Sequence, residues 1–64
     1  MPVIRVEMFK RTQEQKRDLV RELTDSFIKT CGGNKEEIKI LITEVDENNW
    51  ASGGIINSDK TNYL

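Results

Sequence analysis

The chain lacks histidine altogether and carries one cysteine, one proline and one tryptophan in 64 residues. Without His and without a pair of thiols the usual zinc ligands are missing, so no metal centre is expected. Cys31 has no second cysteine to join, which excludes an intrachain disulfide. Aromatic side chains are also scarce: Phe9, Phe27, Trp50 and Tyr63 are too few to suggest a base-stacking platform. Neither sign of charge is in excess, with 10 Lys+Arg against 11 Asp+Glu and a formal net charge of −1. The basic footprint of a nucleic-acid binder is therefore absent. No apolar run approaches the roughly 20 residues of a membrane span, so no membrane partner is expected. No secretory leader is visible, because Pro2 follows Met1 directly and a charge arrives at Arg5. A lone thiol and no export signal predict a cytoplasmic protein.

A chain of 64 residues makes a single domain with a marginal core. At this size folding hides only about 60% of the surface of the unfolded chain. Domains so small usually add disulfides, a metal or association. With the first two set aside, a homo-oligomer is expected before any motif is considered.

What the sequence does contain is clear periodicity. Over residues 2–9, Ile4, Val6 and Met8 alternate with Arg5 and Glu7, the period of a half-buried strand. Pro2 is tolerable there, since the first residue of a strand needs no ladder N–H. Thr12-Gln13-Glu14-Gln15 reads as a capping box opening a helix over 12–31. Leu19, Val20, Leu23, Phe27, Ile28 and Cys31 form its apolar stripe, and Asp25 and Lys29 suggest an i,i+4 pair on the solvated side. Gly32-Gly33 predicts a left-handed helix stop, and Asn34–Glu37 a single capped turn. Residues 38–45 form a second strand with Ile38, Ile40 and Ile42 on one face, and Asp46–Asn49 reads as a polar loop. Residues 50–64 form a short hairpin or arm that docks on a partner or frays.

Strand, helix, strand is a βαβ unit, and a crossover of this length makes the strands parallel. The fold class is thus α/β: a small βαβ unit with a C-terminal hairpin or arm. One helix leaves the other sheet face, with Val3, Phe9, Leu41 and Val45, in water. An obligate homo-oligomer would cover it.

Pro2 carries the sharpest chemical suggestion. An initiator Met is usually trimmed when the next residue is small, and the product has a secondary amine at its N-terminus. A neutral amine accepts protons, and a general base works best with its pKa near ambient pH. Apolar burial and nearby cations both move an amine in that direction.

The arrangement closely resembles the 4-oxalocrotonate tautomerase family (2-hydroxymuconate tautomerases). The matching residues are Met1-Pro2 opening a strand, Arg11 before the helix, Glu14-Gln15-Lys16 in its first turn, Ile42-Thr43-Glu44, Trp50 and Gly53-Gly54. They span residues 2 to 56, and their joint spacing carries the resemblance rather than any one motif. The resemblance implies a homohexamer, a trimer of dimers, with active sites shared between subunits. It also implies enol–keto isomerisation of a small unsaturated 2-hydroxy or 2-oxo acid, without cofactor or metal. Pro2 would be the general base. Arg11 and Lys39 would be catalytic and substrate-binding cations, and Trp50 would wall the binding site.

The cations suit the chemistry, since positive charge at the substrate carbonyl stabilises a dienolate more than the ground state. Arg11 can also grip a carboxylate bidentately. Three departures stand out: the loop before Arg11 is one residue shorter, Lys10 replaces a frequent Gly, and Lys39 stands where well-studied members carry arginine. Lysine has no planar fork, which counts against the usual dicarboxylate substrate and a high rate on it. Plainer readings sit beside these. Pro2 is an ordinary strand start, Arg11 a solvated loop charge, Lys39 an edge-strand gatekeeper, Trp50 oligomer core and Cys31 a buried helix residue. Decarboxylation, hydration or dehalogenation by a relative, or a non-catalytic oligomeric module, are the alternative functions.

The proline-base reading requires a free Pro2 amine. Intact-mass spectrometry of protein from cells should find the chain lighter by one methionine; retention of Met1 would leave Pro2 nitrogen a tertiary amide with no basicity.

Overall fold

The computed structural model describes the backbone of residues 1–63 and the side chains of residues 1–60. Alternating apolar residues form strand β1 (Val3–Phe9), followed by helix α1 (Gln13–Cys31) and strand β2 (Lys39–Val45). A two-residue hairpin, β3 (Ala51–Ser52) and β4 (Ile55–Ile56), closes the chain with 3-10 turns at Lys35–Glu37, Glu47–Asn49 and Asn57–Tyr63. The arm expected over 50–64 is thus a hairpin and a turn; Leu64 lies outside the described residues. Among the described residues no helix is long and apolar enough to cross a membrane.

β1 and β2 pair in parallel, with Val3 opposite Lys39 and Phe9 opposite Val45. Side chains alternate across a strand, so Ile4, Val6, Met8, Ile40, Ile42 and Glu44 share one face. Helix α1 lies over that face, where its Lys16 reaches Glu44. On the other face Val3 and Leu41 are each 52% exposed. Phe9 and Val45 on that same face are half-buried instead of open to water. For Phe9 the reason is the Trp50 ring, which lies against it.

The helix start is the capping box written in the sequence. Gln15 N–H donates to Thr12 Oγ1 at 3.1 Å, and Thr12 N–H donates to Gln15 Oε1 at 3.0 Å. At the other end Gly32 N–H closes on Ile28 O at 2.8 Å. Gly32 adopts φ 78° and ψ −170°, not the left-handed helical conformation expected. That region is open to glycine almost alone. Gly53 and Gly54 both have positive φ, 61° and 79°, as a two-residue hairpin turn of type I′ requires.

Other local readings need correction. Cys31 is exposed, because it ends the helix with too little chain packed over it. The ion pair on α1 is Arg21–Asp18 at 3.0 Å, not Asp25–Lys29; exposed pairs are weak enough that either choice costs little. Asn34 does not cap the turn at Lys35–Glu37 through its side chain, which donates instead to Glu37 Oε1 at 3.1 Å. Asp46–Asn49 is no plain loop, since Asp46 Oδ1 accepts from Asn48 N–H at 2.9 Å and caps a 3-10 turn.

Burial is sparse. Ile38, 8% exposed, is the one buried hydrophobic residue among those described, and α1 contains no buried residue. The protomer exposes 5281 Å², where a compact 7.4 kDa chain would expose about 4,200 Å². Its radius of gyration is 15.6 Å, against about 11 Å for a compact domain of this length.

Replacing Thr12 with Ala should lower stability by about 1 kcal/mol. Denaturant unfolding at fixed protein concentration checks this; an unchanged midpoint would mean that the cap is not holding the helix.

Candidate functional site

The strand that carries the candidate residues also separates them. Pro2 precedes β1, and its carbonyl accepts from Lys39 N–H at 3.0 Å, so both stand at the starting end of the parallel pair. Arg11 follows the end of β1, and Trp50 follows β2 and its 3-10 turn. Six residue steps from Val3 to Phe9 cover about 20 Å. Within one protomer the structure therefore groups Pro2 with Lys39 and Arg11 with Trp50, and does not bring the pairs together.

Each end has its own cleft. Pro2 lies in a cavity of about 420 Å³ with Met1, Phe27, Cys31, Glu37 and Ile38 among its walls. Lys39 Nζ donates to the Glu36 carbonyl at 3.1 Å. That neutral acceptor anchors the ammonium without cancelling its charge.

At the opposite end Glu7, Met8, Phe9, Arg11 and Trp50 line a cavity of about 240 Å³. Phe9 and Trp50 meet edge to face, with centroids 5.7 Å apart and planes at 73°, a favourable aromatic geometry. Trp50 is fixed by its neighbours on both sides. The Asp46-capped turn precedes it, and its carbonyl accepts from Asn57 N–H at 2.6 Å across the hairpin. Trp50 remains 41% exposed, so it offers a surface as well as packing. Arg11 Nη1 turns back to the carbonyls of Lys10 at 3.0 Å and Phe9 at 3.5 Å. A guanidinium has five donors, so these bonds orient it and leave others for an anion.

Glu44 holds this corner together. Its Oε2 accepts from Lys16 Nζ at 3.2 Å and from Arg11 backbone N–H at 3.3 Å. The hydrogen bond from Lys16, then that from the Arg11 backbone, hold the Glu44 carboxyl below the usual glutamate range, against a smaller opposing effect of burial. One carboxylate thus ties strand β2, the first turn of α1 and the Arg11 loop. Sequence reasoning gave Glu7 and Glu44 no role in the site. Glu7 was within reach, because strand alternation puts it on the face of Phe9. Glu44 was not, because its partners lie 28 and 33 positions away.

A depressed carboxyl pKa in the fold stabilises it above the unfolded pKa, and this contribution is lost as pH falls through the folded value. Glu44→Gln should therefore lower the melting temperature at neutral pH, and the gap to wild type should narrow toward about pH 3. Thermal scans across that range check it; a gap that is constant with pH would mean the charge of Glu44 is not involved.

The chain is similar in sequence and fold to known proteins. The family model described as tautomerase enzyme matches residues 2–60. A probable tautomerase of Staphylococcus epidermidis is 43% identical over 61 residues, covering 94% of this chain and all of the relative. The crystal structure of a 4-oxalocrotonate tautomerase homologue superposes with a TM-score of 0.85 at 38% identity, covering 92% of this chain and 95% of the other. A heterohexamer 4-oxalocrotonate tautomerase from Chloroflexus aurantiacus gives a TM-score of 0.84 at 30% identity, covering 92% and 97%. With the βαβ frame, Pro2 at its start and the Arg11–Trp50 cleft at its far end, the chain belongs to the tautomerase family.

Proposed function

We propose that the chain is a cofactor-independent tautomerase acting on a small unsaturated 2-hydroxy or 2-oxo acid, at sites assembled between protomers of a homo-oligomer, a homohexamer by analogy with the family. The observation that carries this reading is the split of the candidate residues. Pro2 and Lys39 lie about 20 Å along the strand from Arg11 and Trp50. No side chain spans that distance, so a complete site needs the Pro2 end of one protomer against the Arg11 end of another. The exposed sheet face and the large surface of the single chain supply a reason to associate. A six-chain assembly is named for the relative from Chloroflexus aurantiacus.

The chemistry follows from the groups available. After loss of Met1, the neutral Pro2 amine accepts the proton of the substrate's enol hydroxyl and returns a proton to carbon. The double bonds shift, the oxygen becomes a carbonyl, and the molecular composition is unchanged. Arg11 grips the carboxylate, and Lys39 neutralises negative charge on the oxygen as the proton moves. Phe9 and Trp50 exclude water, which strengthens both interactions and favours a neutral amine.

Pro2→Ala should reduce enol-to-ketone conversion of phenylenolpyruvate or 2-hydroxymuconate by about 100-fold or more, followed by loss of enol absorbance. Undiminished activity would assign the base to another group. Arg11→Ala should be similarly impaired, and refolding the two inactive variants together should restore turnover through sites with one intact residue from each chain. Mixed oligomers that stay inactive would defeat the shared site.

A further inference from the structure

We infer that the cleft at the Arg11 end selects an acid with a single carboxylate and an apolar, preferably aromatic, substituent over a dicarboxylate. This selectivity rests on the tautomerase reading and sharpens it from a reaction to a substrate class.

The cleft holds one cation and one anion. Arg11 and Glu7 both line it, with Phe9 and Trp50 as its aromatic wall and Met8 beside them. Glu7 and Phe9 lie on the same strand face two residues apart, about 7 Å along β1. A ligand whose carboxylate sits on Arg11 and whose tail runs along Phe9 therefore points that tail toward Glu7. An apolar tail meets ring edges and faces there. A second carboxylate meets a like charge as it gives up water, and both effects oppose binding.

Among the described residues no ion pair cancels the Glu7 charge. The ion pairs among the described residues are Lys16–Glu44 and Arg21–Asp18. Arg5, the same-face neighbour of Glu7 on β1, forms no ion pair with it. The cations of the assembled site are also fully used by a monoacid, with Arg11 on the carboxylate and Lys39 on the enol oxygen. The cavity of about 240 Å³ lies below the usual range for drug-sized ligands, which suits a small acid.

Trp50 is the sole tryptophan, so quenching of its fluorescence reads occupancy of this cleft directly and without turnover. Oligomeric protein with a free Pro2 amine should be titrated with 3-phenylpropanoate and with adipate, neither of which can tautomerise. The monoacid should bind about tenfold more tightly or better. Glu7→Gln should narrow that ratio, because it strengthens adipate binding more than it strengthens 3-phenylpropanoate binding. Equal or tighter binding of adipate to the wild type, or a ratio untouched by Glu7→Gln, would overturn the inference. Turnover of phenylenolpyruvate and 2-hydroxymuconate by the same preparation separates the two levels of the reading. Selective binding without turnover of either enol would defeat the tautomerase reading and leave the selectivity standing. Turnover that favours the dicarboxylate would defeat the selectivity and leave the tautomerase reading standing.

Discussion

A single helix can cover only one face of a two-stranded sheet, and the remaining features of this protein follow from that shortage. α1 shields Ile4, Val6, Ile40 and Ile42, yet it buries none of its own residues fully. The second face leaves Val3 and Leu41 half in water, and each strand has a partner on one side only. Unpaired strand edges and exposed apolar side chains are what proteins ordinarily cover or blunt. In the proposed oligomer, additional copies of the chain would supply that cover.

The same geometry keeps the two groups of candidate residues apart within one chain. A seven-residue strand is stiff and has a fixed length, so it holds Pro2 and Arg11 apart rather than letting a loop fold them together. On the proposed reading each protomer would contribute a base end and a binding end.

Between these ends, local contacts set direction. Glu44 is modest energetically, being partly solvated, but its position is specific. It receives the first turn of α1 through Lys16 and the preceding loop through the Arg11 backbone. The Thr12–Gln15 cap fixes the next residues along. Arg11 is thereby delivered by a short, constrained connection, while Trp50 reaches the same corner from the opposite strand by a capped turn and a glycine hairpin.

Much of the frame was legible in the residues themselves. Period-2 alternation marked β1, the 3.6-residue stripe and capping box marked α1, and the β-branched run marked β2, because these patterns are local and leave a direct imprint. Pro2, Arg11, Lys39 and Trp50 drew notice by their residue types, and the resemblance supplied their possible roles. Where those residues stand relative to one another was not legible. That depends on the parallel register of β1 and β2, a pairing between residues more than 30 positions apart. Cys31 was misjudged for a related reason, since a helical stripe says which side an apolar residue takes but not whether any chain lies opposite. Glu7 and Glu44 gained meaning only when distant residues closed around them. The sequence by itself determined the elements and the chemical groups; the tertiary structure decided that those groups stand at opposite ends of the strand pair, because strand length and register are properties of the folded pair.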